Sequence, residues 1–424
     1  MRTYKLAEFF SGIGSQAKAL NRIGIKIDTV CTCEWDIHAF IAYDAIHTAI
    51  DVPKTIDSMS REDIFDRLKK YNLSNDGKTA MSHNTLRSYS LDVLKRMLAA
   101  IERNNNYVDI TSLTGQDMYD GIDILTYSFP CQDLSNVGAF HGYNKGIDKN
   151  SGSRSSLLWQ VGRILTEMKH LGKKLPRFLV LENVPSLQSP RHIDNFNIWQ
   201  NDLKELGYHN RVFLLNAANY GIPQNRPRLI MISVLLPNDQ SSVEDICSKL
   251  DGFYMTHDIS DEKYYSQLPF RRFSIKELLR IDYSNPVLFK EALECQPNDT
   301  PSRRKIWEEN PVLLDSDGNM PYDIVRTLTT KQDRNPNSGN LYFDYTGNTR
   351  SKFRYLTPRE CFLFMGFDEC DFEKVIQNNP YVKKGSLLFP RDKLIRMAGN
   401  SIPVNMLERV FELVNLIDKT FTIV

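Results

Sequence analysis

The sequence is short of the features that sort proteins most quickly. It has no run of about 18 apolar residues, so no membrane-spanning helix is expected. Acids and bases nearly cancel, with 53 Lys+Arg against 52 Asp+Glu and a formal net charge of +1. Charge balance therefore does not advertise a nucleic acid, and any such contact has to come from a local basic face. Cysteine is scarce and odd in number, seven at scattered positions, which fits a reducing cytosol better than a disulfide framework. Cys31 and Cys33 stand too close for a C-x-x-C pair and no Cys/His cluster follows, so neither zinc nor any other metal is expected. The start, MRTYKLAEFF, lacks a long apolar segment and a small-residue cleavage site, so the expectation is no secretory signal and a cytoplasmic location. Internal repeats and low-complexity tracts are absent as well.

What is there is an ordinary globular composition, 41% hydrophobic and 25% charged over 424 residues. That is enough chain for one large core and a second, smaller domain. The first 235 residues alternate apolar runs with helical patterns: KLAEFF, then GSQAKALNRIG, DTVCTCEW, and later DILTYSF, PRFLVLENV and RLIMISVLL. Alternation of this kind predicts an α/β domain with a mostly parallel sheet. Residues 52–105, polar and Lys/Asn-rich, and the Gly/Ser-rich loop 138–156 read as insertions. From 237 to 350 the chain is polar, rich in turn signals and without a βα repeat, as expected of a separate domain. Near the end, Leu407, Val410, Phe411, Val414 and Ile417 recur at helical spacing. A helix with such a stripe needs a core to cover it, so residues 351–424 are expected to return to the domain formed by 1–236.

FFSGIGSQA, residues 9–17, reads as a strand, a tight Gly-x-Gly turn and a helix start. Gly12 and Gly14 permit close backbone approach, and a helix N-terminus favours a carboxylate or phosphate. Glu34, 22 residues beyond Gly12, is placed to accept hydrogen bonds from a ribose diol, and Trp35 offers a face to an adenine. The loop alone leaves NAD, FAD and S-adenosylmethionine open, beside a purely structural strand-turn-helix.

A second strand runs into Pro130-Cys131-Gln132, with no histidine next to the cysteine to take its proton. Buried cysteines are commonly inert, but this one stands at the strand edge where open α/β sheets bind ligands. A reactive thiolate needs positive or dipolar support. Downstream, Glu182-Asn183-Val184 closes one strand, and Gln224, Arg226 and Arg228 in QNRPR precede another. Were QNRPR extended, alternation would point Arg226 and Arg228 to one side. Singly, the acid reads as a cap and each arginine as a surface ion-pair member. Together they place a thiol, an acid and two arginines at strand ends of one sheet.

At this point the chain resembles the cytosine-C5 DNA methyltransferases. The resemblance runs nearly end to end, in that family's motif order: FSGIG, EW at 34–35, VDI at 108–110, SFPCQ, SSLLW at 155–159, LENV, QNRPR, RYLTPREC at 354–361 and GNSIP at 399–403. TYSFPCQDLS and AGNSIP are most similar in wording to the mollicute-type CG enzymes. Ser11 and Ser15 stand where many members carry Ala and Gly, and both are small enough for the turn.

The resemblance implies a Rossmann-like, S-adenosylmethionine-dependent methyltransferase fold in residues 1–236, and a smaller irregular target-recognition domain in 237–350. It implies a DNA (cytosine-5-)-methyltransferase with S-adenosyl-L-methionine as donor and S-adenosyl-L-homocysteine as product. Cys131 would add to carbon 6 of cytosine, turning carbon 5 into an enamine-like nucleophile, so its partner is the substrate ring rather than a histidine. Glu182 would contact ring N3 and the exocyclic amine, Arg228 would hold the ring and Glu182, and Arg226 would support the DNA backbone or the pocket. Gln132 belongs to the same catalytic group, and Asn183 and Pro130 shape the site. Phe10, Gly12, Ile13 and Gly14 would surround the methionine end of the donor, with Glu34 at the ribose and Trp35 on adenine. Asp109 and Ile110 would meet the adenine edge, Leu157 pack nearby, and Asn400 and Ser401 reach the methionine part.

A base inside a duplex cannot present carbon 6 to a thiol, so the target has to swing out of the stack. Lys145, Lys149 and Arg154 in loop 138–156 would close over it and meet phosphates. FRRF at 270–273, PSRRKIW at 301–307 and the stretch 326–345 mix basic and aromatic residues and suggest a face for double-stranded DNA. The expected protein is a monomer, the modification enzyme of a restriction–modification system, with a companion restriction endonuclease acting separately. Three other readings are weaker. The tRNA-methylating branch has no need of a reader of about 100 residues. A silent DNA-binding regulator would not need Cys131, Glu182 and Arg228 together. A nicotinamide dehydrogenase does not explain PCQ.

Overall fold

The computed structural model describes residues 2–130, 134, 147, 154–237, 240–345, 350–383 and 385–421. Cys131, Gln132 and most of the loop 138–156, including Lys145 and Lys149, lie outside them.

Among the described residues, six strands form one sheet in the order β2-β1-β3-β4-β6-β5, with β1 Thr3–Phe9, β2 Lys26–Cys33, β3 Ile124–Tyr127, β4 Phe178–Asn183, β5 Tyr208–Asn216 and β6 Pro227–Leu235. β1 pairs in parallel with β2 and β3, and β3 with β4, while β6 runs antiparallel to β4. Every residue of β3 is buried, and β4 and β6 are buried through most of their length. Strands covered on both faces read as continuous apolar runs, which is how these announce themselves. β5 is an edge strand and mixes buried with part-exposed positions, so its run YHNRVFLLN carries no such signal.

The sheet core gathers Phe9, Leu125, Tyr127, Leu179, Leu181 and Met231 with Val161, Ile164 and Trp199 of the covering helices Leu158–His170 and Ile193–Glu205. Trp199 fixes the approach of those helices: its ring packs edge-on to Tyr127 and Trp159, and a Cβ added at Gly162 would lie 2.9 Å from it. The polar stretch 52–105, read as an insertion, is in fact well folded. Its last helix, Leu91–Arg103, is amphipathic and buries Val93, Leu94, Met97, Leu98 and Ile101. The charged residues between those positions hide the stripe in the composition of the segment.

The chain divides into two compact units, residues 1–215, 227–268 and 407–424 forming one, and residues 216–226 and 269–406 the other. Residues 237–268 thus fall with the first unit and 351–406 with the second. In the first unit, Leu407, Val410, Phe411, Val414 and Ile417 of the helix Val404–Thr420 are all buried. Asp418 near its end accepts a hydrogen bond from the Tyr4 hydroxyl at 2.7 Å and pairs with Arg177. The second unit holds a three-stranded sheet of β7 Val312–Leu314, β8 Asn340–Tyr342 and β9 Phe353–Tyr355. Its centre is polar: Arg354 and Glu360, both fully buried, form two N–H···O bonds of 2.8 Å, and the Tyr283 hydroxyl accepts from Arg354. Removing either partner of such a pair would strand a charge out of water, a loss of several kcal/mol. Among the described residues no helix is long and apolar enough to cross a membrane.

Candidate active site

The glycine loop follows β1 directly. Phe10 (φ 56°), Gly12 (φ 55°) and Gly14 (φ 79°) all take left-handed backbone, the first of them at a cost, because a bulky residue resists that region. Ser11 O accepts from Gly14 N at 2.9 Å, and Gly14 caps the helix Ser15–Arg22. The two glycines differ in surroundings. A Cβ on Gly14 would lie 2.2 Å from His47 Nε2, whereas one on Gly12 would meet nothing within 4 Å.

Two carboxylates brace this loop. Glu34 receives Gly12 N at 3.0 Å on one oxygen and Asp36 N at 2.9 Å on the other, tying the loop to the start of the helix Ile37–His47. Glu8, fully buried in β1, accepts from the Tyr43 hydroxyl at 2.5 Å and from Ala17 N at 3.3 Å. Burial pushes its carboxyl up to about 7, against the pull of those two donors. Trp35 is half-buried, and its carbonyl accepts from Ser74 N at 2.8 Å.

The Asp109–Ile110 turn is held from three sides. Asp109 accepts from Thr111 N and from Asn72 Nδ2, at 2.9 and 2.8 Å. Arg163 donates to Ile110 O at 3.2 Å and Leu113 O at 2.7 Å. Asn106 accepts from Val108 N at 3.0 Å. Ile13 and Ile110 are buried, and Phe10 and Leu157 pack against the sheet core with part of their surface open. These residues fit an adenosylated donor on two grounds beyond their chemistry. The Gly12 face is open to close approach, and Ser11 Oγ is buried with no hydrogen-bond partner among the described residues.

At the end of β3 the chain is pinned just before Cys131. Phe129 O accepts from Asn183 Nδ2 at 3.1 Å and Pro130 O from Ser155 Oγ at 2.6 Å, while Gln16 Nε2 donates to Ser128 Oγ at 3.2 Å. Across the β4–β6 seam Glu182 pairs with Ile230, so Arg228, two residues earlier on β6, shares its face. Arg228 Nε lies 2.8 Å from Glu182 Oε1, with the two side chains 10% and 12% exposed, and Arg228 Nη1 donates to Pro227 O at 2.7 Å. The structure therefore bonds Asn183, the neighbour of Glu182 on β4, to Phe129, two residues before Cys131, while Glu182 pairs with Arg228. The buried thiols of Cys31, Cys33, Cys295 and Cys361 are all raised by burial, that of Cys31 to about 12, and none of these is poised as a thiolate at neutral pH.

Arg226 has different company from Arg228. β6 begins at Pro227, so the two arginines do not alternate along one strand. Arg226 is buried in the second unit, donating to Leu328 O at 2.7 Å, Gly399 O at 2.9 Å and Ser401 O at 2.8 Å. It thus grips the carbonyls on either side of Asn400. Gln224, also buried, donates to Phe364 O at 2.7 Å and accepts from Leu328 N at 2.9 Å. Asn400 is exposed at the end of the helix Arg391–Asn400, and the Ser401 hydroxyl donates to Met397 O at 2.8 Å. One group with metal-ligand chemistry occurs among the described residues, Asp368, Cys370 and Asp371. It sits in the first turn of the helix Glu369–Gln377, where Asp371 accepts from Asp368 N as part of the helix cap.

The sequence reading missed Glu8, Gln16, Asn72, Asn106 and Arg163: the last three bond site residues directly, and Glu8 and Gln16 bond residues beside them. Only Glu8 left a signal, as an acid inside an apolar strand.

Residues 89–415 match the family described as C-5 cytosine-specific DNA methylase. The orphan methyltransferase M.SssI of Spiroplasma monobiae is 30% identical over 425 residues, covering 97% of each chain. The type II methyltransferase M2.ScrFI of Lactococcus lactis subsp. cremoris is 31% identical over 410 residues, covering 96% of this chain and 98% of its own. The crystal structure of the S. pombe Dnmt2 methyltransferase superposes with a TM-score of 0.56 at 17% identity, over 98% of this chain and 99% of its own, a likeness of fold.

Proposed function

The chain belongs to the C-5 cytosine-specific DNA methylase family, which uses S-adenosylmethionine, and from that premise we propose that it methylates carbon 5 of a flipped-out cytosine at a specific site in duplex DNA, through a covalent bond from Cys131 to carbon 6. When bound, S-adenosyl-L-methionine supplies an electrophilic methyl group. The glycine loop from Phe10 to Gly14 holds its methionine end, with Asn400 and Ser401 assisting. Glu34 takes the ribose, Trp35 stacks on adenine, and Asp109 and Ile110 meet the adenine edge beside Leu157.

The Cys131 thiolate adds to carbon 6, and the ring electrons that move make carbon 5 nucleophilic. Glu182 hydrogen-bonds ring N3 and the exocyclic amine, stabilising the charge that builds on the ring as sulfur adds. Arg228, 2.8 Å away, holds that carboxyl group in place. After methyl transfer the carbon-5 proton is removed and the thiolate leaves, restoring the aromatic ring and the free cysteine. Gln132 and Asn183 shape the loop. Residues 237–350 read the target, and Lys145, Lys149 and Arg154 meet phosphates as the loop closes.

The observation that carries this reading is the Glu182–Arg228 pair beside the pinned Phe129–Pro130 segment. Duplex DNA bearing 5-fluorocytosine at the target blocks the final proton loss, so the enzyme with its methyl donor should become trapped on DNA through residue 131. Cys131→Ser should bind S-adenosylhomocysteine and form no adduct. Methyl incorporation by Cys131→Ser at the wild-type rate would refute the nucleophile, and label entering tRNA instead of duplex DNA would refute the substrate. The chain also serves as the modification half of a restriction–modification system. Methylation-sensitive sequencing of DNA from an expressing strain gives the site, and a companion nuclease should cut that site only when it is unmethylated.

A further inference from the structure

The polar stretch before Asp109 contains three consecutive asparagines, Asn104 to Asn106, and each side chain is committed. Asn104 donates to Asp44 at 2.9 Å and Ala100 O at 3.0 Å, and Asn105 to Val30 O at 2.9 Å. Asn106 does something different. Its amide oxygen accepts from Glu34 N and from Val108 N, both at 3.0 Å, and its amide nitrogen donates to Glu34 O at 3.0 Å. The side chain is buried. It completes the main-chain bonding of Glu34 just past the end of β2 at Cys33.

The backbone around it is under strain. Asn105 has φ 43° and Val108 φ 66°, and a β-branched residue in left-handed backbone persists only where its surroundings fix it. Val108 immediately precedes Asp109. One amide therefore spans two separate segments, the acid after β2 and the strained turn leading to Asp109 and Ile110.

We propose that Asn106 is a positioning residue for the adenosine half of the methyl donor: by bonding the main chain of Glu34 and of Val108 at once, it sets the spacing between the acid that takes the ribose and the turn that meets the adenine edge. This rests on the reading that Glu34 and Asp109 receive the donor. Aspartate at 106 keeps the acceptor oxygen but cannot donate to Glu34 O while ionised, and glutamine carries the amide one methylene too far. Neither reproduces the three contacts, which is why asparagine is required.

Calorimetric binding of S-adenosylhomocysteine to the full-length protein tests this. Asn106→Ala should weaken binding about tenfold, the worth of one lost buried hydrogen bond or a little more. The KM for S-adenosylmethionine should rise by a similar factor, while kcat at saturating donor and the KM for DNA each change less than about threefold. Paired with Glu34→Gln, the double variant should lose clearly less than the product of the single losses, because both act through one contact. Asn106→Asp, nearly isosteric, should fold even if the alanine variant does not, and it too should bind more weakly than wild type. Wild-type affinity in whichever variant folds, or a lowered melting temperature with an undiminished ligand-induced shift, would overturn the proposal. If Glu34→Gln itself binds at full strength, the ribose assignment falls first, and the proposal with it.

Discussion

Glu182 and Arg228 meet across the antiparallel seam between β4 and β6, Oε1 to Nε at 2.8 Å. The pair is nearly closed off from water, so neither charge is readily screened and each depends on the other. Replacing Glu182 with glutamine keeps the shape and removes the charge. We expect kcat to fall on the order of a hundredfold or more, as for loss of one preorganised transition-state contact, with S-adenosylhomocysteine binding unchanged. Single-turnover methylation beside calorimetric binding separates the two effects.

The two loop glycines should fail in different ways. Gly14→Ala forces a methyl group against His47 and Tyr43 at a left-handed position. Its first loss should be stability, about 2 kcal/mol or more, read from the denaturant midpoint without ligand. Gly12→Ala meets no protein atom within 4 Å. It should lose only about 1 kcal/mol of stability, yet weaken donor binding at least tenfold, because the added methyl occupies the face proposed for the ligand.

Glu8 should make stability depend on pH near neutrality. Its carboxyl is raised from 4.5 to about 7 by burial, so the native state holds a proton that the unfolded chain releases near 4.5. The stability tied to that proton is complete below pH 4.5, declines as pH rises, and is gone above about 7. Glu8→Gln, neutral throughout, should remove this slope. The stability difference, variant minus wild type, should grow in the variant's favour between pH 5 and 8, by an amount on the order of 2–3 kcal/mol. Urea denaturation at a series of pH values gives the curve directly.

Arg226 should prove to be a stability residue of the second unit. Its guanidinium is the donor to three carbonyls, those of Leu328, Gly399 and Ser401. Arg226→Ala would bury these without that donor, at about 3 kcal/mol or more. Arg226→Lys should recover little, since an ammonium lacks the planar fork that reaches several acceptors. Thermal unfolding of both variants checks the order: wild type, then lysine, then alanine.

The sheet was largely legible because its four inner strands are mostly buried runs of apolar residues, and burial on both faces writes itself into composition. β5 was not, since an edge strand such as Tyr208–Asn216 has no reason to be apolar throughout. The helix Leu91–Arg103 was concealed for the opposite reason: its apolar stripe is regular, but Lys95, Arg96 and Glu102 stand between the buried positions. In the site, side chains with chemistry of their own, such as Glu182 and Glu34, could be singled out from strand ends and spacing. Asn106 could not, because an asparagine that completes another segment's main chain looks like any loop asparagine until the fold brings that segment beside it. Nor could the parting of Arg226 from Arg228. Alternation presumes one continuous strand, and here the strand starts between them.

That parting bears on protein engineering. A chimera meant to acquire a relative's target specificity would ordinarily be spliced where composition changes, near residue 237. The compact body instead takes in residues 216–226 along with 269–406, and Arg226 is bonded to its far end. Splice points at 215/216, 226/227, 268/269 and 406/407 keep those bonds within one parent, whereas a single cut at 237 would ask one parent's arginine to fit the other's carbonyls.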